Sequence, residues 1–161
     1  DTVCAMPGLY YEQFSVGQTF DHAWARTVTE ADNTFFSLMT MNPQPLHLDA
    51  ESSAKTEFGQ RLVNSLFTLG LMVGMSVNDT TFGTTIANLG FTDVRFPKPV
   101  FHGDTLKVRT VVEEMRESRS RPTAGVLVLR HRAYNQHGEE VANCLRTVLV
   151  RRQPPPGETT G

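Results

Sequence analysis

Cysteine is scarce in this chain, with only Cys4 and Cys144, far apart. Two such residues make no disulfide framework, and a reducing cytosol suits them. A long hydrophobic run is also missing. The most apolar stretch, Leu62 to Val77, falls short of the ~20 residues a membrane span needs, and Asn64, Ser65, Thr68 and Ser76 interrupt it. The opening DTVCAMPGLYYEQF lacks the basic-then-apolar pattern of a signal peptide. The sequence therefore reads as soluble and cytoplasmic. Excess charge of either sign is absent, with a formal net charge of −2 and a pI near 6.2. That argues against a nucleic-acid partner, and an anionic ligand would need a local basic pocket. His22, His131 and His137 show no ligand spacing, so no metal site is expected. No repeat or internal linker divides the 161 residues, which suits one domain.

What is present is ordinary globular material, 39% hydrophobic and 20% charged. Phe20 to Val28 reads as a strand. Thr29, with Asp32 three residues on, resembles a capping box at a helix start, and Glu30 suits the same helix end. Ala31, Phe35 and Met39 recur every four residues and give that helix one apolar face. It must stop before Pro43. A second helix is predicted over Ala50 to Phe58, capped by Asp49. Leu62 to Val77 is apolar nearly all round and predicts a buried helix. Gly70 and Gly74 lie one turn apart in it, as for close approach of a sheet or another helix. Four extended stretches follow: Thr84 to Phe96, Thr105 to Met115, Gly125 to Asn135 and Val141 to Arg152. The turn signals PKP, HGD, RPT and NQHGE bound them, and Asn135 to Glu139 reads as a hairpin turn. One strand, then helices, then strands argues for an α+β fold, an antiparallel sheet around one long buried helix. Residues 1–9 read as a loose start. Residues 153–161, rich in proline, read as a disordered tail.

Met41 to Ala50 reads MNPQPLHLDA. Pro43 and Pro45 fix the backbone just before His47. Histidine suits proton transfer near neutral pH, yet it can equally be a packed side chain satisfied by a carbonyl.

These residues resemble a known family. TMNPQPLHLD is similar to the Ser/Thr-Gly-Asp-x-Asn-Pro-Leu-His-x-Asp motif of the MaoC-like dehydratases, which include (R)-specific enoyl-CoA hydratases. FPKPVFHGDTL (Phe96 to Leu106) resembles the same family's Pro-Val-x-x-Gly-Asp-Thr motif, and YNQHGEEV its final hairpin. The likeness covers Tyr10 to Arg152. It implies a hot-dog fold, an acyl-CoA thioester as substrate and a homodimer or higher oligomer. Coenzyme A enters as part of the substrate, with no separate cofactor. His47 falls on the family histidine. The family aspartate falls on Asn42, its asparagine on Gln44 and its preceding glycine on Met41. Asn64 and Ser65 stand where the family has a His-Gly pair.

An amide cannot act as a general base as a carboxylate does. The resemblance thus implies a hydratase in which His47 is the acid/base and Asn42 positions water, or a degenerate site that binds acyl-CoA without turnover. A subgroup with the same Thr-Met-Asn-x-Gln-Pro-Leu-His run resembles hydratases of small dicarboxylic acyl-CoAs such as itaconyl- and mesaconyl-CoA. Removing a carboxylate from the site would suit an acyl group that carries its own. Arg61 or Arg95 is then a candidate partner for that group. Asn42 also suits a turn before Pro43. Asn64 and Ser65 read either as helix-start chemistry or as backbone N–H groups that polarise the thioester carbonyl. His102, Gly103 and Asp104 read as a tight turn. Arg116, Arg119 and Arg121 form a basic loop, either a solvated turn or a contact for CoA phosphates, and Arg151 and Arg152 are similar candidates. A hot-dog thioesterase is disfavoured, because Leu62 to Val77 carries no Asp or Glu.

Overall fold

The protein is described from a computed structural model over residues 8–155. A 3-10 turn (Tyr11–Gln13) precedes β1 (Thr19–Thr27). Four helices follow: α1 (Glu30–Met39), α2 (Pro45–Leu48), α3 (Ala50–Ser53) and α4 (Ser65–Thr80). Strands β2 (Thr85–Arg95), β3 (Thr105–Glu117), β4 (Ala124–Tyr134) and β5 (Glu140–Arg151) complete the chain. All pairings are antiparallel and the order is β1-β3-β4-β5-β2. α4 packs on β1, β3, β4 and β5. The expected α+β architecture is therefore the observed one, and the strands fall where the β-branched runs place them.

Local chemistry explains the boundaries. Thr29 caps α1: its hydroxyl accepts from the Asp32 N–H at 3.1 Å, and the Asp32 carboxylate accepts from the Thr29 N–H at 2.8 Å. Asp49 caps α3 by accepting from the Ser52 N–H at 3.0 Å. In the β4–β5 hairpin, Asn135 Oδ1 accepts from the N–H groups of His137 and Glu139, both at 3.0 Å. The core lies between α4 and the sheet, where Met72, Leu106 and Cys144 are fully buried. Burial pushes the free Cys144 thiol up to about 11, so it stays protonated.

A polar row crosses the sheet below the C-terminal end of α4. Asp79 accepts from His22 Nδ1 at 2.8 Å. His22 Nε2 meets Thr110 Oγ1 at 2.8 Å, and Thr110 Oγ1 meets His131 Nδ1 at 2.8 Å. On the next strand Arg146 donates to Asn88 Oδ1 at 3.0 Å. One polar side chain thus comes from each of the five strands. Burial, with Arg146 nearby, pushes His131 down to about 3, so it is neutral at ordinary pH.

Several expectations are corrected. The helix predicted over Leu62 to Val77 begins at Ser65 and runs to Thr80, because Asn64 caps it. It is not buried all round: Thr68, Met72, Met75, Ser76 and Thr80 face the sheet, while Leu66, Gly70 and Gly74 are exposed. Nothing among the described residues approaches Gly70 or Gly74 within 4 Å of where a Cβ would sit. In α1 the apolar set Ala31, Phe35 and Met39 faces outward, and the buried residues are Asn33 and Ser37. The helix predicted over Ala50 to Phe58 stops at Ser53 and continues as turns.

At the ends, Gly8 lies where a Cβ would collide with the Phe82 backbone, and the Leu9 N–H donates to the Thr80 carbonyl at 2.8 Å. That part of the start is pinned, and residues 1–7, with Cys4, lie outside the described residues. Gln153 donates its N–H to Glu12 at 3.0 Å, while 156–161 of the expected tail lie outside the described residues. No helix among the described residues is long and apolar enough to cross a membrane.

Candidate active site

The segment from Met41 to His47 is shaped by how α1 ends. Met41 takes a left-handed φ of 56°, and the N–H groups of Met41 and Asn42 donate back to Leu38 and Ser37 at 3.0 and 2.8 Å. This is a Schellman closure, whose left-handed position ordinarily selects glycine. Asn42 Oδ1 then accepts from the Gln44 N–H at 3.2 Å across Pro43. Pro45 opens α2 at a position where the missing N–H costs nothing. The single turn of α2 presents His47.

His47 Nδ1 lies 2.9 Å from the Leu62 carbonyl oxygen. A carbonyl can only accept, so Nδ1 carries the proton, and neutral His47 keeps its lone pair on Nε2. The backbone also ties the two segments, with the Leu62 N–H on the Leu46 carbonyl at 3.0 Å.

Asn33, 0% exposed, is the hub of the site. Its Nδ2 lies 3.2 Å from the His47 carbonyl, 3.0 Å from the Leu62 carbonyl and 2.9 Å from His102 Nε2. Its Oδ1 accepts from the Asn64 N–H at 2.8 Å. One amide therefore fixes the α2 turn, the chain entering α4 and the β2–β3 connection. Asn64 caps α4 by accepting from the Leu66 N–H at 3.0 Å, and its Nδ2 donates to Ser37 Oγ at 3.3 Å. Sequence reasoning passed over Asn33 and Ser37. Both sit in a helix that also holds Glu30, Asp32 and Thr34, so their spacing of four carried no signal of its own.

His102 does sit in a turn, where Gly103 has φ 93° and Asp104 accepts from the Phe101 N–H at 2.8 Å. It is also part of the hub. Burial, with Arg61 beside it, holds His102 below the usual histidine range, and Glu30 opposes that shift. Arg61 is committed to Glu30 at 2.7 Å.

The structure brings His47, Asn64, Ser65 and Arg61 to one end of the sheet. Arg95 lies on edge strand β2, paired with Asp93 at 2.8 Å. Arg116 near the end of β3, with Arg119 and Arg121 in the following turn, lies about 36 Å along the strand from Thr105. Within one chain they do not meet His47. Arg151 ends β5, and Arg152 pairs with Glu117 at 2.7 Å.

A cavity of about 250 Å³ opens beside the start of α4. Leu62, Ser65, Thr68, Phe96, Lys98 and Val141 are among its walls. His47 is not one of its walls; Leu62, whose carbonyl holds His47 Nδ1, stands between them.

The chain matches the family model described as MaoC like domain over residues 12–132. It is 32% identical to a mesaconyl-CoA hydratase of Cereibacter sphaeroides, over 91% of this chain and 42% of that protein. The chain thus spans well under half the length of that relative. Among solved structures, a MaoC-like dehydratase from Rhodospirillum rubrum superposes with TM-score 0.80 at 30% identity, covering 91% of this chain and 99% of that one. A conserved hypothetical protein of Mycobacterium tuberculosis, described as having a double hotdog fold, superposes with TM-score 0.83 at 25% identity. This chain covers 47% of it, and 96% of this chain is matched. The five-stranded sheet on a central helix is the hot-dog fold, and the chain belongs to the MaoC-like family.

Proposed function

We propose that this chain is a hydro-lyase unit that adds water to, or eliminates it from, a small 2-enoyl-CoA thioester. The observation that carries the reading is the hydrogen bond from His47 Nδ1 to the Leu62 carbonyl at 2.9 Å, which leaves Nε2 as a base. In hydration, Nε2 takes a proton from water as the water oxygen bonds to the β-carbon. The imidazolium then returns that proton to the α-carbon. Asn42, whose Oδ1 is held by Gln44, has Nδ2 available to orient the water. The first N–H groups of α4, at Ser65, are suited to polarise the thioester carbonyl, where negative charge develops in the transition state.

The name of the C. sphaeroides relative supports a short, branched dicarboxylic acyl group. Asn42 fits, because it removes a negative charge from the site. The open surfaces support a homodimer or higher oligomer. Edge strand β2 is exposed along most of its length, Leu89, Phe91 and Val94 included, and the Gly70–Gly74 face of α4 is uncovered. A second unit of the same fold would cover both. Sedimentation of the purified chain as a monomer at micromolar concentration would count against this.

A second reading, a non-catalytic acyl-CoA-binding subunit, is favoured by Asn42 alone, since it lacks the expected carboxylate. A thioesterase remains disfavoured. α4 does contain Asp79, but at the far end from Ser65 and engaged with His22. A panel of enoyl-CoAs tests all three. Loss of enoyl absorbance that disappears in His47→Ala supports the hydro-lyase, and release of free thiol would indicate a thioesterase. Binding without either would indicate the subunit.

A further inference from the structure

We propose that the buried polar row from Asp79 to Asn88 is a proton-controlled relay. A second proton on His22 moves the single proton of His131 from Nδ1 to Nε2, and so reverses what His131 presents to Arg146 beneath edge strand β2. This goes beyond the hydro-lyase reading and does not depend on it.

The direction of every hydrogen bond follows from one end. The Asp79 carboxylate can only accept, so His22 Nδ1, 2.8 Å away, carries a proton. Neutral His22 then has its lone pair on Nε2, 2.8 Å from Thr110 Oγ1, and the Thr110 hydroxyl donates to it. A hydroxyl has one proton to give. Thr110 Oγ1 must therefore accept from His131 Nδ1, also at 2.8 Å, which leaves neutral His131 a lone pair on Nε2. Thr110 is fully buried, and its hydroxyl has no third partner among the described residues. Its proton can go only to one imidazole or the other.

Two orphaned atoms lie at the far end. His131 Nε2 and Arg146 Nη1 are both buried and without partners among the described residues. His131 stands opposite Cys144 in the ladder, and Arg146 is two residues on, so the two side chains are diagonal neighbours on one face. A lone pair beside a guanidinium, which only donates, is a complementary pair that one bridging water can join. Arg146 is 5% exposed, and its Nε donates to Asn88 Oδ1 at 3.0 Å, where β2 shifts register between Asn88 and Gly90. The row thus begins at the partly exposed Asp79, beside edge strand β1, and ends at the opposite edge of the sheet.

A second proton on His22 makes Nε2 a donor. Thr110 Oγ1 must then accept from it, and its hydroxyl turns to His131 Nδ1, which has to be a lone pair. The protons balance: one enters at His131 Nε2, the Nδ1 proton passes to Thr110, and the Thr110 proton passes to His22 Nε2. One charge is gained, on His22 beside Asp79. His131 Nε2 then places a donor against a donor, and the hold of Arg146 on Asn88 loosens. The surroundings suit this order of events. The His22 bond holds Asp79 below the usual carboxylate range, so it is still an acceptor when His22 takes its proton. Asp21, next to His22 on β1, is paired with Arg109 of β3. Burial, with Arg146 on β5, holds His131 at about 3, so it keeps a single proton, and burial keeps Cys144 a thiol.

The test follows the imidazole nitrogens of ¹⁵N-histidine-labelled protein by long-range ¹H–¹⁵N correlation, from pH 8 down to pH 5. At pH 8 His131 should show a protonated Nδ1 and a bare Nε2. As His22 titrates, these two types should exchange with the midpoint of His22, and the Arg146 Nε–H should exchange faster with solvent over the same range. In Thr110→Val, His22 should still titrate while the His131 nitrogens stay as they are, and Thr110→Ser should restore the link. An Nε2–H tautomer of His131 at pH 8 overturns the proposal, as do His131 nitrogens that keep their types while His22 titrates. So does an exchange that persists in Thr110→Val, or a His22 that takes no second proton before the protein unfolds. If Thr110→Val does not fold, wild type and Thr110→Ser still decide. No turnover is involved, so failure here leaves the hydro-lyase reading untouched.

Discussion

Mild acid should weaken this fold through His131. The imidazole is fully buried, is held below the ordinary histidine range at about 3, and has Nε2 without a partner. In the unfolded chain it would titrate near 6.5. Between those values the unfolded state binds a proton that the folded state refuses. Stability is therefore complete above about pH 6.5 and declines as the pH falls toward 3. The slope approaches about 1.4 kcal/mol per pH unit, so about 2 kcal/mol is lost between pH 6.5 and 5. His102, also held low by burial, adds in the same direction. Asp32 lies at about 2 and acts only at lower pH, so it does not confuse this window. The assay is urea unfolding of wild type and His131→Asn at pH 7.5, 6.5, 5.5 and 5.0. Asparagine can still bond Thr110 but does not titrate. The variant should be less stable at pH 7.5 and should lose distinctly less than wild type on acidification. Equal pH slopes in the two proteins would refute the reasoning.

Met41→Gly should raise stability by about 1 kcal/mol, since Met41 holds a left-handed φ of 56° with its side chain 88% exposed and little packing to lose; a shift in the urea midpoint checks it. Asn33→Ala should cost about 2–4 kcal/mol, because it strands the Asn64 N–H and frees the Leu62 and His47 carbonyls. Its thermal midpoint, with enoyl-CoA hydration measured on the folded fraction, reports both consequences.

The strands were legible because β-branched runs bounded by turn signals leave few alternatives, and Thr29 with Asp32 announced the start of α1. His47 stood out through its flanking prolines. Asn33 did not, because an asparagine inside a helix carries no local signature. Its meaning lies in partners 14, 29 and 69 residues away. The outward apolar face of α1 and the open Gly70–Gly74 side of α4 misled for a related reason. Spacing shows that a face is apolar or smooth, but not whether its cover comes from the same chain. The arginines were legible as charges, while their acidic partners became visible only once the chain had folded.

The most direct test of the account is hydration of a short enoyl-CoA in D₂O by wild type and by His47→Gln, with folding checked by circular dichroism. Wild type should give 3-hydroxyacyl-CoA carrying one deuterium at the α-carbon, and His47→Gln should be slower by about 10²–10⁴-fold. A variant within tenfold of wild type would contradict the assignment of His47 as the proton carrier.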